Sequence, residues 1–280
     1  MITQAEVDSI VAYLRENPNE SWNPLYDAVE ELAIVTRQEP FTNSIGMEFV
    51  WIPPGRFMMG SPDSDEEAFT WEKPQHEVVL TRGYWMGKYP VTRGQYVAFM
   101  NATGCVIPKN WRHMGFTQSE DHPVISIRFE ESVEFCRWLS EQDDGDYRLP
   151  TETEWEYACR AGTTTPRYNG LGLEALSEIA WYFENCEDES TVTVEQLEPN
   201  AWGLYDMLGN VWEQCSTYWN QNYPSVRQID DAEPPEGRFR VQRGGGWSTE
   251  ARDCRSASRS WNPHVSGVRD LGFRVVRTAS

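Results

Sequence analysis

The chain has 280 residues, 39% of them hydrophobic, with 13 Trp, 12 Tyr, 11 Phe, 20 Gly and 17 Pro. That is enough apolar matter for one large domain or two small ones, and its aromatic, Gly and Pro content points to a loop-rich α+β domain. A formal charge of −20 argues against sequence-independent nucleic-acid binding and against anionic membranes, and leaves solubility and carboxylates for Ca2+ as its uses.

Residues 1–40 stand apart as a short helical hairpin. Thr3 and Glu6 fit a capping box, and Val7, Ile10, Val11 and Leu14 follow at helical spacing. Asn17-Pro18-Asn19 interrupts, and Leu25, Ala28, Val29 and Leu32 share one face of a second helix. Two such helices bury too little alone, so the hairpin either packs on the main domain or docks a protein partner. From residue 41 to 280 the pattern changes. Strands are expected at 47–52, 56–60, 76–80 and 84–89, with an acidic loop between Ser61 and Lys73. Thr92 caps a helix from Arg93 to Asn101. Another helix runs from Glu130 to Glu141 with Val133, Cys136, Trp138 and Leu139 inward. Thr151 and Glu154 form a capping box for a helix that buries Trp155 and Ala158 and ends at Gly162. Residues 163–200 read as irregular, Asp230 to Glu236 as a linker, and 240–243, 244–247 and 272–277 as final segments.

No run of about 18 apolar residues occurs. The start MITQAEVDSI lacks the basic and apolar regions of a signal peptide, so the expected location is cytoplasmic. Cys105, Cys136, Cys159, Cys186, Cys215 and Cys254 form no CxxC pair, and most of them read as buried thiols. Glu152, Glu154 and Glu156 fit the helix macrodipole and a cap better than acid/base work. No GxSxG, P-loop, HExxH or GxGxxG context is present.

Read in order, Phe57-Met-Met-Gly-Ser61, Pro74-Gln-His-Glu-Val78, Lys88-Tyr-Pro-Val-Thr92, His122-Pro-Val124, Arg148-Leu-Pro-Thr-Glu152, Glu154-Trp-Glu-Tyr-Ala158, Gly203-Leu-Tyr-Asp-Met-Leu-Gly-Asn-Val-Trp-Glu213, Arg243-Gly-Gly-Gly-Trp247 and Gly272-Phe-Arg274 resemble the ordered signatures of the formylglycine-generating enzyme (sulfatase-modifying factor) family, over about residues 45–277. The resemblance implies a C-type-lectin-like fold. Its relatives include copper-dependent oxidases, iron-dependent sulfoxide synthases and the variable proteins of diversity-generating retroelements.

The resemblance implies two cysteines, five residues apart, after the Arg243-Gly244-Gly245 turn, binding Cu(I) as thiolates. Here the second is Cys254 and the first position is Thr249. A hydroxyl is a poor Cu(I) ligand, so no copper is expected. The sulfoxide synthases take iron through an HxxxHxE-type pattern. This chain has only His76, His113, His122 and His264, none at that spacing. The segment from Asp206 resembles the family's calcium loop, which implies a structural Ca2+ held by the side chains of Asp206 and Glu213 and the carbonyls of Gly209 and Val211. The stretch after the turn interleaves Arg and Trp, the residue types of binding hot spots. The expected ligand-binding residues are Trp247, Ser248, Thr249, Glu250, Arg252, Asp253, Arg255, Arg259, Trp261 and His264. The same arginines could instead pair internally, since Arg252, Arg255 and Arg259 have helix-like spacing for salt bridges. The function expected is a non-catalytic protein- or ligand-binding module using a cleft at about 247–271, with a retroelement-diversified protein as one form of it. The alternative is a metal-dependent oxidase or oxygenase of the same family.

Overall fold

A computed structural model describes residues 2–105, 111, 116–170, 172–186, 190–230, 236–263 and 268–279. Helices α1 (Gln4–Glu16) and α2 (Asn23–Val35) precede strands β1 (Phe41–Thr42), β2 (Glu48–Ile52), β3 (Gly55–Met59), β4 (His76–Leu80) and β5 (Tyr84–Gly87). Helices α3 (Arg93–Thr103) and α4 (Phe129–Asp143), strand β6 (Tyr147–Arg148) and helix α5 (Glu152–Arg160) follow. The rest is strand and loop: β7 (Ala180–Trp181), β8 (Leu208–Gly209), β9 (Trp212–Tyr218), β10 (Gln228–Ile229), β11 (Phe239–Arg243), β12 (Arg259–Pro263), β13 (Leu271–Phe273) and β14 (Val276–Thr278).

An antiparallel sheet of order β1-β2-β5-β14-β6 forms the centre. On one side α3 and α4 bury Tyr96, Phe99, Phe135 and Leu139 against Phe49, Phe273 and Val275. On the other, α5 buries Trp155 and Ala158 among Met86, Met207, Val241 and Val276. The second sheet, β12-β11-β9-β13, is antiparallel except where β13 joins β9 in parallel. Strand β14 follows β13 after two residues, so the C-terminal segment stitches the two sheets together.

The caps expected at Thr3, Thr92 and Thr151 all form, each a full capping box. The inward stripe of α4 is Ser132, Phe135, Cys136 and Leu139, whereas Val133 stays 44% exposed. The hydroxyl of Ser132 donates to Oε1 of Gln214 at 3.1 Å, so a polar contact with β9 takes the place expected for Val133. The N-terminal hairpin packs on the third sheet, β10-β4-β3: Val7, Val11, Leu14, Leu25, Val29 and Leu32 enclose Val79 of β4. Gln4 donates to the Thr81 carbonyl (3.2 Å), Arg82 pairs with Asp8 (2.6 Å), and Arg56 lies 4.4 Å over the Tyr26 ring.

Candidate functional site

Strand β11 ends in a turn at Gly244-Gly245-Gly246, with φ of +96° at Gly244 and +78° at Gly245. A Cβ on Gly245 would lie 2.9 Å from the Cys254 sulfur and 3.3 Å from the Thr249 hydroxyl. Only glycine lets the turn close over both side chains. Thr249 accepts from the Gly246 N–H (3.0 Å), donates to the Gly246 carbonyl (2.9 Å), and is hydrogen-bonded to the Cys254 thiol. Burial pushes that thiol up to about 12, with the charge of Asp253 adding to the effect, so it stays protonated at neutral pH. The arrangement is one buried thiol beside one hydroxyl, not a dithiolate.

The stretch expected to bind ligand divides in two. Arg255 and Arg259 are 0% and 2% exposed and belong to the core, which corrects their assignment to a binding surface. Arg255 forms a two-pronged pair with Glu72 (2.6 and 2.7 Å), and Arg259 one with Glu152 (2.7 and 2.7 Å). The helical spacing misleads here: the chain makes only a 3-10 turn at Ala251–Asp253 and then extends, so the partners lie far away in sequence. Behind them Arg243, also fully buried, joins Glu152 (3.1 Å) to Glu156, and Arg160 holds Glu156 from the other side (2.8 Å). Burial alone would raise Glu156, but Arg243 and Arg160 outweigh it and hold the carboxyl low. Internal pairing was the alternative expected for Arg255 and Arg259, but not these partners: Glu152 and Glu156 lie on a helix whose acids read as macrodipole and cap residues.

The remaining residues face outward. Trp247 meets Phe116 edge-on at 5.9 Å, Ser248 donates to Asp270 (2.6 Å), and Glu250 is exposed. Asp253 is half-buried beside the exposed Arg252. Arg252 stacks 3.9 Å over Phe69 and starts an aromatic strip: Phe69 stacks on Trp71 (4.8 Å), Trp71 meets Trp261 (6.0 Å), and Trp261 meets Trp219 (4.7 Å). Trp261 is 41% exposed. His113 and His264 lie outside the described residues. His76 is a structural histidine, bridging the Pro74 carbonyl and Gln228.

Next to Trp247 opens a cavity of about 500 Å3, lined among others by Thr117, His122, Trp181, Asn185, Thr191 and Thr193. Backbone hydrogen bonds tie its lining to the segment after the glycine turn. Phe183 donates its N–H to the Thr249 carbonyl (3.0 Å), Trp247 donates to the Asn210 carbonyl (3.0 Å), and Asn210 donates to that of Trp181 (2.7 Å). Gly209, at φ +75°, presses on the Trp181 backbone, where a Cβ would come within 2.7 Å of its nitrogen. Gly209→Ala is therefore expected to cost about 2–4 kcal/mol of stability, from left-handed strain plus overpacking; urea unfolding measures it. His122 accepts at Nδ1 from the Ser119 N–H (3.0 Å). Burial lowers its pKa, the charge of Asp121 opposes this, and that of Arg93 reinforces it. The unfolded chain then takes up the proton first, so stability is expected to fall as pH drops below about 6.5. In His122→Asn that part of the pH slope should vanish.

The residues of the expected calcium set are engaged as follows. Both oxygens of Glu213 are within 3.1 Å of the Arg274 guanidinium, and the Trp155 indole donates to one of them at 2.7 Å. Arg274 also donates to the Gly87 (2.8 Å) and Tyr205 (2.7 Å) carbonyls, so it is locked beside Glu213. The Gly209 carbonyl accepts from the Val211 N–H (2.7 Å). Asp206, the other carboxylate of that set, forms no ion pair among the described residues. Burial raises it to about 6, and the Glu195 N–H (2.9 Å) and Asn210 amide (3.4 Å) donate to it. In this arrangement Glu213 serves as the buried ion-pair partner of Arg274. Among the described residues no group of three or more His, Cys, Asp or Glu converges on one point.

Two sheets joined by the C-terminal strand, helices packed outside and long loops around a glycine turn define a C-type-lectin-like fold of the sulfatase-modifying-factor kind. Residues 36–279 match the Sulfatase-modifying factor enzyme 1-like domain family, and the chain belongs to that family as a divergent member. It is 28% identical over 284 residues to the formylglycine-generating enzyme of Bos taurus, spanning 81% of this chain and 74% of that one. The structure of PvdO from Pseudomonas aeruginosa superposes with a TM-score of 0.79 at 26% identity, covering 87% of this chain and 99% of PvdO. Treponema denticola variable protein 1 shares the fold, with a TM-score of 0.73 at 24% identity over 86% of this chain and 99% of that one. No helix among the described residues is long and apolar enough to cross a membrane.

Proposed function

We propose that this chain is a non-catalytic binding module. Its binding face runs from the cavity beside Trp247 across Ser248, Glu250 and Arg252 to the strip ending at Trp261. The observation that carries the reading is the Thr249 hydroxyl beside the buried, protonated Cys254, where an oxidase of this family would present two thiolates. The face has the composition of a hot spot: half-exposed Trp and Arg bracketed by a rigid network that holds their backbone. A retroelement-diversified protein is one form of this reading. In it only the outward positions could vary, because Arg255 and Arg259 are committed to buried glutamates. The outer side of the N-terminal hairpin, where Tyr13 is 55% and Ile34 78% exposed, supplies a second contact for a protein partner.

Capture of partners from the native cell tests this, comparing the intact chain with a Trp247→Ala, Glu250→Arg, Trp261→Ala variant. The variant is expected to lose the partner; undiminished recovery sinks the reading. The competing activity is a metal-dependent oxidase or oxygenase, which the kinship with formylglycine-generating enzymes favours. It requires stoichiometric uptake of Cu(I) or Fe(II) by the unmodified chain.

A further inference from the structure

Another cavity, of about 340 Å3, opens between α4 and the segment from Asp146 to Leu149. Phe129, Val133 and Cys136 of α4, together with Leu149, give it an apolar wall. That placement accounts for Val133, the aliphatic side chain left 44% exposed on α4: it lines a cavity instead of joining the core. The Cys136 thiol is an inert part of the wall, since burial pushes its pKa up and keeps it protonated. Most polar groups of the lining already have partners. Ser140 donates to the Cys136 carbonyl (2.9 Å) and accepts from the Tyr147 N–H (2.9 Å). The Tyr147 hydroxyl donates to Asp143 (3.2 Å), and Ser216 donates to the Pro150 carbonyl (3.3 Å). Arg148 grips both oxygens of Glu154 (2.7 and 2.7 Å). Asp146 accepts from the Thr278 hydroxyl (2.7 Å), and its charge is felt by Arg148.

Arg137 is the exception. It is exposed and belongs to the same lining. Among the described residues it makes no hydrogen bond and no ion pair, although Glu134 and Glu141 stand on its own helix at the spacing of helix salt bridges. An unpaired guanidinium on a helix surface is ordinary. One that lines an apolar cavity gives a ligand's head group a cation beside a wall for its body. The planar fork of Arg matches a carboxylate, which it meets with two parallel N–H···O bonds. A single unpaired guanidinium, with Asp146 in the same lining, suits one negative charge better than the double charge of a phosphate ester. The volume falls in the range of about 300–1,000 Å3 typical of small-molecule sites. We propose that this cavity binds a small carboxylate with an apolar body, the body against Phe129, Val133, Cys136 and Leu149 and the carboxylate on Arg137. The site shares no residue with the binding face described above and does not depend on it.

Calorimetric titration of the full chain with octanoate, octanol and octylammonium tests it, since the three probes share one tail and differ in the head group. Saturable binding of one octanoate per chain is expected, with octanol weaker by about tenfold and octylammonium weaker still. Arg137→Gln should weaken octanoate by about tenfold or more and leave octanol unchanged. Val133→Phe, which fills the cavity from a partly exposed position, should weaken both. Neither side chain belongs to the core, so both variants should keep the unfolding midpoint of the unmodified chain. Equal affinity for octanol overturns the carboxylate, and preference for octylammonium hands the head group to Asp146 in place of Arg137. Octanoate binding that survives both substitutions places the ligand elsewhere, and no saturable heat with any probe overturns the site. None of these outcomes touches the partner-capture result, which stands or falls on Trp247, Glu250 and Trp261.

Discussion

Arg255→Ala is expected to lower the free energy of unfolding by about 3–5 kcal/mol, a large share of the stability of a domain this size. The reason is what remains after the guanidinium goes. Glu72 is 0% exposed, and Arg255 is the cation that meets both its oxygens, at 2.6 and 2.7 Å. Its other contacts, the Ser61 hydroxyl (2.6 Å) and the Phe69 N–H (3.2 Å), carry no charge. The variant must bury a bare carboxylate, protonate it, or open the loop between Ser61 and Lys73 to water. Urea unfolding followed by Trp fluorescence measures the loss. Arg252→Ala is the control: its exposed side chain lies over Phe69 and donates to the Glu67 and Ala68 carbonyls, and since no buried charge is orphaned its removal should cost only about 1 kcal/mol. Replacing Arg255 and Glu72 together by Met and Leu should recover much of the deficit, because two apolar groups leave no orphaned charge. An Arg255→Ala protein that unfolds at the wild-type midpoint but has lost its partner would return Arg255 to the binding face.

The same residue shows where a sequence can be read and where it cannot. Caps are local, and the boxes at Thr3, Thr92 and Thr151 announce three helices because donor and acceptor lie three residues apart. Strands β2 to β5 are legible from apolar runs bounded by turn residues. Strand β12 is not, since Arg259-Ser-Trp-Asn-Pro263 has no alternation of apolar and polar residues and is a strand only through its pairing with β11. Long-range charge pairing is equally silent: Arg255 finds Glu72 across 183 positions and Arg259 finds Glu152 across 107. The spacing that suggested a salt-bridged helix is coincidental. Of the candidate site, the Thr249 substitution was visible by counting from the glycine turn. The cavity was not, because its walls come from Thr117–His122, Trp181–Cys186 and Ser190–Thr193, segments that carry no motif beyond His122-Pro-Val124. The Arg274–Glu213 pair was hidden for the same reason, since Arg274 lies 61 positions away.

Thr249→Cys should create a Cu(I) site that the unmodified chain lacks. The two side chains already flank Gly245, whose missing Cβ leaves them in contact, so the substitution needs no movement of the backbone. It forfeits the hydroxyl's bonds to the Gly246 N–H and carbonyl, a loss of about 1–2 kcal/mol that binding a soft ion to two sulfurs should exceed. Cys254 must ionise to bind. Since burial holds its thiol up at about 12, metal has to displace the proton. Affinity should therefore rise with pH, by about 100-fold per unit where two protons leave together. Competition against a chromophoric Cu(I) chelator reads both the stoichiometry and this slope. One Cu(I) per chain in Thr249→Cys, none in the unmodified chain and none in the Thr249→Cys, Cys254→Ser double variant would establish that a single hydroxyl separates this binding scaffold from a copper-holding one. Tight Cu(I) uptake by the unmodified chain would mean that another thiol reaches Cys254, and would restore the oxidase reading. Failure of Thr249→Cys to bind would mean that the buried sulfur cannot be reached, so that access to the pocket has been lost along with the ligand.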